Sequence, residues 1–234
     1  RTPFVTSCHG YYSRHFFSGI MGRGEKVIVI SKVIAAHMHD AFGVAEEKIR
    51  LVYRGVDLSR YTYRPDKYDT PSNTFRIVNI GRLTPIKGQR EFIRAIDIVS
   101  EKIVNMEALI VGPSDKPDYE QGLRELVNTL HLQDKVKFLG RRSDIPEILK
   151  GADLLVLSTQ IPEAFGRVLI EAGAVGTAVC ASRIGGITEI IEDAKDGILF
   201  NYNDEKSMAN AILRCAEDRG LLTRCSQNLR RKVE

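Results

Sequence analysis

The sequence lacks the features that define several large classes of protein. Its 234 residues contain four cysteines, Cys8, Cys180, Cys215 and Cys225, without CxxC or zinc-ligand spacing, so we expect reduced thiols rather than a disulfide framework. No run of about 18 apolar residues is present, which excludes a membrane-spanning helix. No secretory signal pattern is visible, and we therefore expect a cytoplasmic protein.

The charged residues are nearly balanced in sign, with 34 Lys and Arg against 30 Asp and Glu and a net charge of +4. This excess is too small to indicate a nucleic-acid partner, and aromatic residues do not alternate with basic ones as they do in single-strand-binding proteins. Residues 14–17 and 224–232 are mildly basic. Solvated faces are the simpler interpretation of both stretches, and peripheral attachment to the inner face of the cell membrane is the alternative.

Short apolar segments rich in β-branched residues alternate with segments of helical period. Strands separated by single helices indicate a parallel sheet covered on both faces, so we predict an α/β fold with a Rossmann-like, doubly wound parallel sheet. Ligands of such sheets bind outside the carboxyl ends of the strands. The predicted strands cover 27–30, 49–53, 75–80, 108–111, 136–139, 154–157, 178–181 and 197–200, and the predicted helices cover 32–42, 90–102, 119–130, 145–149, 166–173 and 205–216, with a further helix ending at 191.

Residues 58–74 differ from the regions on either side. They contain Pro65, Pro71 and few aliphatic residues, a composition typical of a linker between domains. We therefore divide the chain into a first part, 1–57, this linker, a second domain, 75–218, and a C-terminal helix or tail, 219–234. The first residues already resemble the interior of a domain, so we expect a preceding segment to be missing.

Two cations lie in the loop that follows the predicted strand 75–80. Arg82 and Lys87 stand between Gly81 and Gly88, ahead of a helix. A planar guanidinium and a compact ammonium suit a diphosphate, and glycines at both ends of the loop permit tight turns. Taken alone, this motif is explained equally well as a solvated basic loop.

Residues 162–171 combine two glutamates with the start of a helix. Glu163 lies in the loop, and Glu171 lies a turn or more into the helix. The free amides of Phe165, Gly166 and Arg167 at the first turn would bind an anion. A carboxylate at position 171 would accept hydrogen bonds from two ribose hydroxyls. For either glutamate alone, helix capping or surface charge is the simpler interpretation.

Two further motifs are weaker. His9 follows the short apolar segment 4–6, where it would serve as a catalytic or hydroxyl-binding group, although a lone histidine is more often structural. Gly185 and Gly186 precede Thr188 and Glu189. The glycine pair either lets the backbone approach a ligand closely or forms a simple turn before a helix.

In this order, the motifs together resemble those of the retaining GT-B glycosyltransferases of family 4. Glu163 and Glu171 match the family's Glu-x7-Glu signature, residues 81–88 its phosphate-binding loop, and residues 138–144 its segment beside the nucleobase. Residues 53–57 resemble its hinge-side motif Pro-Asn-Gly-Val-Asp, with Arg54 at the usual Asn position. The resemblance covers nearly the whole chain.

The resemblance implies both an architecture and an activity. Residues 75–218 would be the C-terminal, nucleotide-sugar-binding domain of a GT-B enzyme, and residues 1–57 a partial N-terminal Rossmann-like remnant of its acceptor-binding domain. The enzyme would transfer a hexosyl or N-acetylhexosaminyl group, with retention, from a nucleoside-diphosphate sugar to a glycan or lipid-linked acceptor. Lipopolysaccharide, capsule or cell-envelope assembly is the implied process.

The resemblance also implies a role for each matched residue. We expect neither a cofactor nor a metal, in agreement with the absence of a DxD-like pair near the end of any predicted strand. The implied catalytic residues are His9, Arg82, Lys87 and Glu163, and the implied donor-binding residues are Arg82, Lys87, Arg141, Ala164, Phe165, Gly166, Arg167 and Glu171.

Three alternatives stand beside this interpretation. The first is a truncated, catalytically inactive nucleotide-sugar-binding module, since the glycine-rich loop that opens the family's N-terminal domain is absent. The second, a Rossmann-type dehydrogenase, is disfavoured because no GxGxxG follows a predicted strand. The third is a sugar epimerase of the same two-domain architecture, against which the Glu-x7-Glu spacing argues.

Overall fold

Two parallel β-sheets organise the chain. The computed structural model describes residues 2–69 and 73–234. The smaller sheet has the strand order β1-β2-β3, and the larger has the order β6-β5-β4-β7-β8-β9. The strands are β1 (Val5–Cys8), β2 (Lys26–Val29), β3 (Ile49–Leu51), β4 (Phe75–Ile80), β5 (Met106–Val111), β6 (Val136–Gly140), β7 (Leu154–Leu157), β8 (Ala178–Ser182) and β9 (Ile198–Phe200).

Helices connect most of these strands, and their ends follow local capping chemistry. Helix α1 begins after Ser31, whose hydroxyl accepts a hydrogen bond from the Ile34 amide at 3.3 Å, and it ends at Gly43, which adopts a left-handed φ of 68°. The helices are α1 (Lys32–Phe42), α2 (Gln89–Ser100), α3 (Pro117–Thr129), α4 (Ile145–Gly151), α5 (Arg167–Val175), α6 (Ile187–Ile190), α7 (Glu205–Glu217) and α8 (Arg219–Val233).

The strand order of the larger sheet reverses direction between β4 and β7. The chain winds outward from β4 through β5 to β6, and then returns to β7 on the other side of β4. The buried Asn79 joins the two strands, because its side-chain amide donates to the Val156 carbonyl at 2.9 Å and to the Ser158 hydroxyl at 3.0 Å. In doubly wound sheets a crevice opens at this reversal, so the loops after β4 and β7 are placed to form a site.

Apolar side chains cover both faces of the larger sheet. Phe92 and Ile96 of α2 belong to the cluster on one face, together with residues of α3, α7 and α8. On the other face, Leu169 of α5 belongs to the same cluster as Ile34 and Met38 of α1. The core of the smaller sheet is therefore continuous with one face of the larger sheet.

The predicted linker packs against the larger sheet over much of its length. Tyr68 is buried, and its hydroxyl donates to the Asp153 carbonyl at 2.8 Å and accepts from the Ala178 amide at 2.8 Å. Lys67 is also buried and donates to the Leu149 carbonyl at 2.8 Å. Pro71, with residues 70 and 72, lies outside the described residues. The segment is thus anchored to the larger sheet at its middle, and the predicted domain boundaries stay predictions.

In the part of the chain that the structure describes, every helix is too short or too polar to cross a bilayer. The same residues hold no cluster of three or more His, Cys, Asp or Glu side chains arranged to bind a metal ion.

Candidate functional site

An open cleft of about 500 Å³ lies at the carboxyl ends of β4 and β7, where the strand order reverses. Its walls come from the loops after these strands, from the first two turns of α5, from the loop after β6 and from the predicted linker. Five of the predicted catalytic and donor-binding residues line it, namely Lys87, Glu163, Gly166, Arg167 and Glu171.

The loop after β4 reaches the cleft because Gly88 allows a close approach. Gly88 has a left-handed φ of 69°, and a Cβ atom there would stand 1.9 Å from the Ser158 carbonyl oxygen. A short 3₁₀ turn, Pro85–Lys87, precedes it. Lys87 Nζ lies 2.5 Å from Glu163 Oε2, and both side chains are less than a third exposed. The β4 and β7 loops therefore bring a cation and a carboxylate into direct contact.

The loop that carries Glu163 rests on the glycine pair that follows β8. The Gly186 amide donates to the Glu163 carbonyl at 2.7 Å. A Cβ atom on Gly185 would stand 2.6 Å from that same oxygen, and one on Gly186 would stand 2.5 Å from the Ala164 carbonyl oxygen. The two glycines are needed here for close backbone packing, which positions the loop for whatever the cleft binds.

Glu171 lies in α5 at the edge of the cleft and is only 8% exposed. Burial raises the pKa of its carboxyl group, while Arg167 and a hydrogen bond from the Tyr61 hydroxyl oppose that shift. Arg167 Nε lies 2.9 Å from Glu171 Oε1. An ionised carboxylate accepts several hydrogen bonds, so Glu171 can accept further donors besides these two.

The first turn of α5 forms the wall between the two glutamates. The helix begins at Arg167, because Gly166 has a left-handed φ of 89° and does not continue it. Amides in the first turn of a helix lack intrahelical acceptors and carry partial positive charge. Phe165 is buried beneath this turn, and Ala164 holds its carbonyl toward Ser31 Oγ at 2.6 Å. The arrangement suits an anion held between Lys87 and the helix.

Arg82 and Arg141 lie beside the cleft rather than in its wall. Both line a smaller adjoining pocket of about 150 Å³ together with Arg142. Arg82 Nε lies 3.4 Å from Asp115 Oδ2, and both side chains are more than half exposed. Their predicted contacts with a donor stay predictions.

His9, at the end of β1, is exposed and does not line the cleft. Its Nδ1 lies 3.0 Å from Arg54 Nη2, and its Nε2 lies 3.1 Å from Ser7 Oγ. A guanidinium only donates, so Nδ1 is the acceptor of this bond and the ring proton lies on Nε2. Arg54, at the position where the resembled family has Asn, thus orients the histidine, whose predicted catalytic role stays a prediction.

Sequence reasoning missed two residues of the cleft, Arg60 and Tyr61. Both lie in the predicted linker, and Arg60 Nη2 donates to the Ser143 carbonyl at 3.1 Å. The cleft is also lined by Arg142 and Ser143, which belong to the segment 138–144 that the resemblance places beside the nucleobase. The one sequence feature that could have pointed to Arg60 and Tyr61 is their position shortly after the motif 53–57. No periodicity in this segment indicates that it folds over the cleft.

Comparison with protein families gives this architecture a context. Residues 63–232 match the family model described as "Glycosyl transferases group 1", and residues 1–60 match the one described as "Glycosyltransferase Family 4". The chain belongs to the group 1 glycosyl transferases. This confirms the resemblance at the level of the family.

Individual relatives agree with this assignment. The D-inositol 3-phosphate glycosyltransferase of Salinispora arenicola is 27% identical over 234 residues, which covers 91% of this chain and 51% of the relative. The UDP-Gal:alpha-D-GlcNAc-diphosphoundecaprenol alpha-1,3-galactosyltransferase of Escherichia coli is 28% identical over 193 residues, covering 80% of this chain and 49% of the relative. The chain thus spans about half the length of these curated relatives.

A solved structure is similar over the whole chain. The Anabaena protein HepE, crystallised with UDP and glucose, is 28% identical with a TM-score of 0.85, and the match covers 99% of this chain and 66% of HepE. Such structural neighbours, together with the observed sheets, confirm the predicted Rossmann-like α/β fold of the GT-B class.

Proposed function

We propose that this chain is the donor-binding part of a retaining glycosyltransferase. It would bind a nucleoside-diphosphate sugar, from which a hexosyl or N-acetylhexosaminyl group is transferred to an acceptor. One observation carries the proposal: Lys87, Glu163, Arg167 and Glu171 line a single cleft at the reversal of the strand order. The UDP and glucose bound to HepE are the two parts of a donor of this chemical class, in a protein of similar structure.

The proposed binding follows the order of charges along the cleft. Lys87 and the first-turn amides of α5 hold the diphosphate and stabilise the negative charge that develops on it as the sugar departs. Arg82 and Arg141, in the adjoining pocket, add positive charge nearby. Glu171 accepts hydrogen bonds from the ribose hydroxyls. These groups supply the charge stabilisation without a metal ion or a cofactor.

Glu163 and His9 are assigned to the transferred sugar. Glu163 forms an ion pair with Lys87 in this structure, and a sugar hydroxyl would share its carboxylate when the donor is bound. His9 would donate its Nε2 proton to the sugar or the acceptor in place of Ser7 Oγ, which lies 3.1 Å from Nε2 in this structure. Because His9 does not line the cleft, this assignment requires the loop after β1 to move toward the donor before transfer.

The acceptor is proposed to be a glycan or a lipid-linked glycan of the cell envelope. The diphosphoundecaprenol-linked acceptor in the name of the Escherichia coli relative supports this class. Phe16 and Phe17 are 88% and 78% exposed beside Arg14 and His15. Such an apolar and basic surface supports peripheral contact of a cytoplasmic protein with an anionic membrane.

The second candidate is a nucleotide-sugar-binding module without transfer activity. It is favoured by the position of His9, the one proposed catalytic residue of the smaller sheet, outside the cleft. The two candidates share donor binding and differ only in turnover, so one set of measurements separates them.

The experiment is a calorimetric titration of the chain with UDP, GDP and ADP. Glu171→Gln tests the site, and Glu120→Gln is its matched control, because Glu120 also forms an i,i+4 ion pair with an arginine but lies on α3 away from the cleft. Saturable binding of one nucleotide that Glu171→Gln abolishes and Glu120→Gln preserves would support donor binding. No binding at millimolar nucleotide, which is less than about 4 kcal/mol of affinity, would overturn it.

Turnover is measured as nucleotide release from the matching UDP-, GDP- or ADP-sugar, with and without an acceptor glycoside. Release that depends on the acceptor and yields a product of unchanged anomeric configuration supports the retaining transferase. An inverted product contradicts retention. Tight binding of the nucleotide without release favours the module without activity.

A further inference from the structure

A carboxylate from the larger sheet occupies the N-terminus of α1 in the smaller sheet. Glu189 Oε2 accepts a hydrogen bond from the Lys32 amide at 2.8 Å, and Oε1 accepts one from the Val33 amide at 2.9 Å. The first-turn amides of a helix have no intrahelical acceptor. Ser31 Oγ accepts a hydrogen bond from the next amide, that of Ile34. Glu189 therefore satisfies the two amides that the helix itself leaves free.

The segment that ends in Glu189 also holds the loop that carries Glu163. Gly185 and Gly186 pack against the backbone of residues 163 and 164, and the Gly186 amide donates to the Glu163 carbonyl at 2.7 Å. On the other side, Ser31 Oγ donates to the Ala164 carbonyl at 2.6 Å. The loop is thus held between the glycine pair of the larger sheet and the start of α1.

These contacts form a closed circuit between the two sheets. The loop after β7 packs against Gly185 and Gly186. Glu189, in the helix α6 that follows these glycines, accepts hydrogen bonds from the first amides of α1. Ser31, which precedes α1, donates to the loop after β7. Tyr53, which follows β3, adds a hydrogen bond from its hydroxyl to Glu189 Oε2 at 3.2 Å. Removing the Glu189 carboxylate would remove the charged contact between α6 and the start of α1.

We propose that Glu189 is a positioning residue that fixes the loop 163–166 by holding α1 against it. The proposal rests on the proposed function, in which that loop contacts the donor. Glu189 does not line the donor cleft, so its effect on a nucleotide passes through the loop. A charge-assisted bidentate contact to a helix N-terminus is a strong form of hydrogen bond, and its loss is felt at both ends.

The first test measures amide hydrogen exchange in Glu189→Ala, Glu189→Gln and the wild-type chain. Glu192→Ala is the matched control, because Glu192 lies three residues along the same segment, is exposed, and forms a side-chain ion pair with Lys195. In Glu189→Ala, exchange at the Lys32 and Val33 amides should accelerate on the order of tenfold or more. Exchange at Gly186 and Leu169, whose amides donate to the carbonyls of Glu163 and Gly166, should accelerate with it. Glu189→Gln keeps one acceptor and should fall between.

A second variant perturbs the contact from the other side. Lys32 is the first residue of α1, where proline is tolerated, and Ser31 has an extended backbone that accepts a following proline. Lys32→Pro removes one of the two amides while preserving the helix. Its effect on exchange at Gly186 and Leu169 should largely disappear when Glu189 is already alanine, because both changes break the same contact.

Titration with UDP separates this proposal from the proposed function. Glu189→Ala should weaken UDP binding about five- to thirtyfold, and Glu192→Ala should leave it unchanged. If the wild-type chain binds no nucleotide, the proposed function fails, while the exchange data still decide the positioning role. Faster exchange at residues 32 and 33 with unchanged exchange at Gly186 and Leu169 would overturn the proposal, since Glu189 would then only cap a helix.

Discussion

Two glycines with the same backbone conformation offer a controlled test of the loop that carries Lys87. Gly88 has φ 69° and ψ 30°, and Gly43, at the end of α1, has φ 68° and ψ 29°. A Cβ atom at Gly43 would meet no other atom within 4 Å. At Gly88 it would stand 1.9 Å from the Ser158 carbonyl oxygen. Alanine at either position meets the same backbone penalty, and only at Gly88 does it also collide with the backbone.

The expected costs follow from this difference. A left-handed alanine costs about 1–2 kcal/mol, which is the full expectation for Gly43→Ala. Overpacking in a tight site adds about 1–3 kcal/mol, so Gly88→Ala should lower the free energy of unfolding by about 2–5 kcal/mol. The collision also displaces the neighbouring Lys87, and UDP binding should weaken at least tenfold in Gly88→Ala alone.

Urea unfolding and UDP titration of both variants measure these effects. Equal destabilisation of Gly43→Ala and Gly88→Ala would refute the reasoning, because it would mean that the β4 loop does not pack on the end of β7. Unchanged UDP affinity in a destabilised Gly88→Ala chain would show instead that Lys87 does not depend on this packing.

Three further predictions concern single side chains. Burial lowers the pKa of Lys67 from 10.5 to about 7, so the unfolded state binds this proton more tightly. The free energy of unfolding of the wild-type chain, relative to that of Lys67→Met, should therefore rise between pH 7 and 10.5 by at most about 5 kcal/mol. A difference between the two unfolding free energies from urea curves that does not change with pH would contradict this. Tyr61→Phe removes a donor to Glu171 and should weaken UDP binding about three- to tenfold by calorimetry; unchanged affinity would mean that this contact does not help Glu171 to hold the nucleotide. Lys87→Met leaves Glu163 unpaired, so UDP affinity should fall at least tenfold and lose much of its dependence on NaCl; an unchanged salt dependence would remove Lys87 from the diphosphate site.

The fold was largely predictable because its signals are local. Strands β4 and β7 have the predicted bounds, since each is a short apolar run ended by a polar or glycine residue. Helix α1 has the predicted bounds because Ser31 and Gly43 cap it. Helix α5 begins one residue later than predicted, because Gly166 takes a left-handed conformation.

The strands of the smaller sheet were less predictable. The predicted strand 49–53 is longer than β3, which ends at Leu51, and the predicted strand 27–30 is displaced by one residue from β2. Leu51 pairs with Val29, the last residue of β2, so the ladder ends there. Strand length is thus set by the partner strand, which composition does not report.

Part of the site depends on contacts between residues far apart in sequence. Lys87, Glu163 and Glu171 could be found because each follows or begins a regular element at the carboxyl end of the sheet. Tyr61 could not, because proline-rich composition predicts a linker and carries no sign that its hydroxyl reaches Glu171. Glu189 was interpretable only as a residue near a helix start, and its partner is the start of a different helix, 157 residues away in sequence.

The path of the chain between the two sheets runs along the rim of the cleft. After Asp57 the backbone passes Arg60 and Tyr61, both in the cleft wall, before the buried anchor formed by Lys67 and Tyr68. A displacement of the smaller sheet would therefore reach the side chains of the cleft wall before it reaches the anchor. A nucleotide bound in the cleft, as proposed, would hold this stretch in place, and without it the exposed residues 57–60 should be cut faster by a protease.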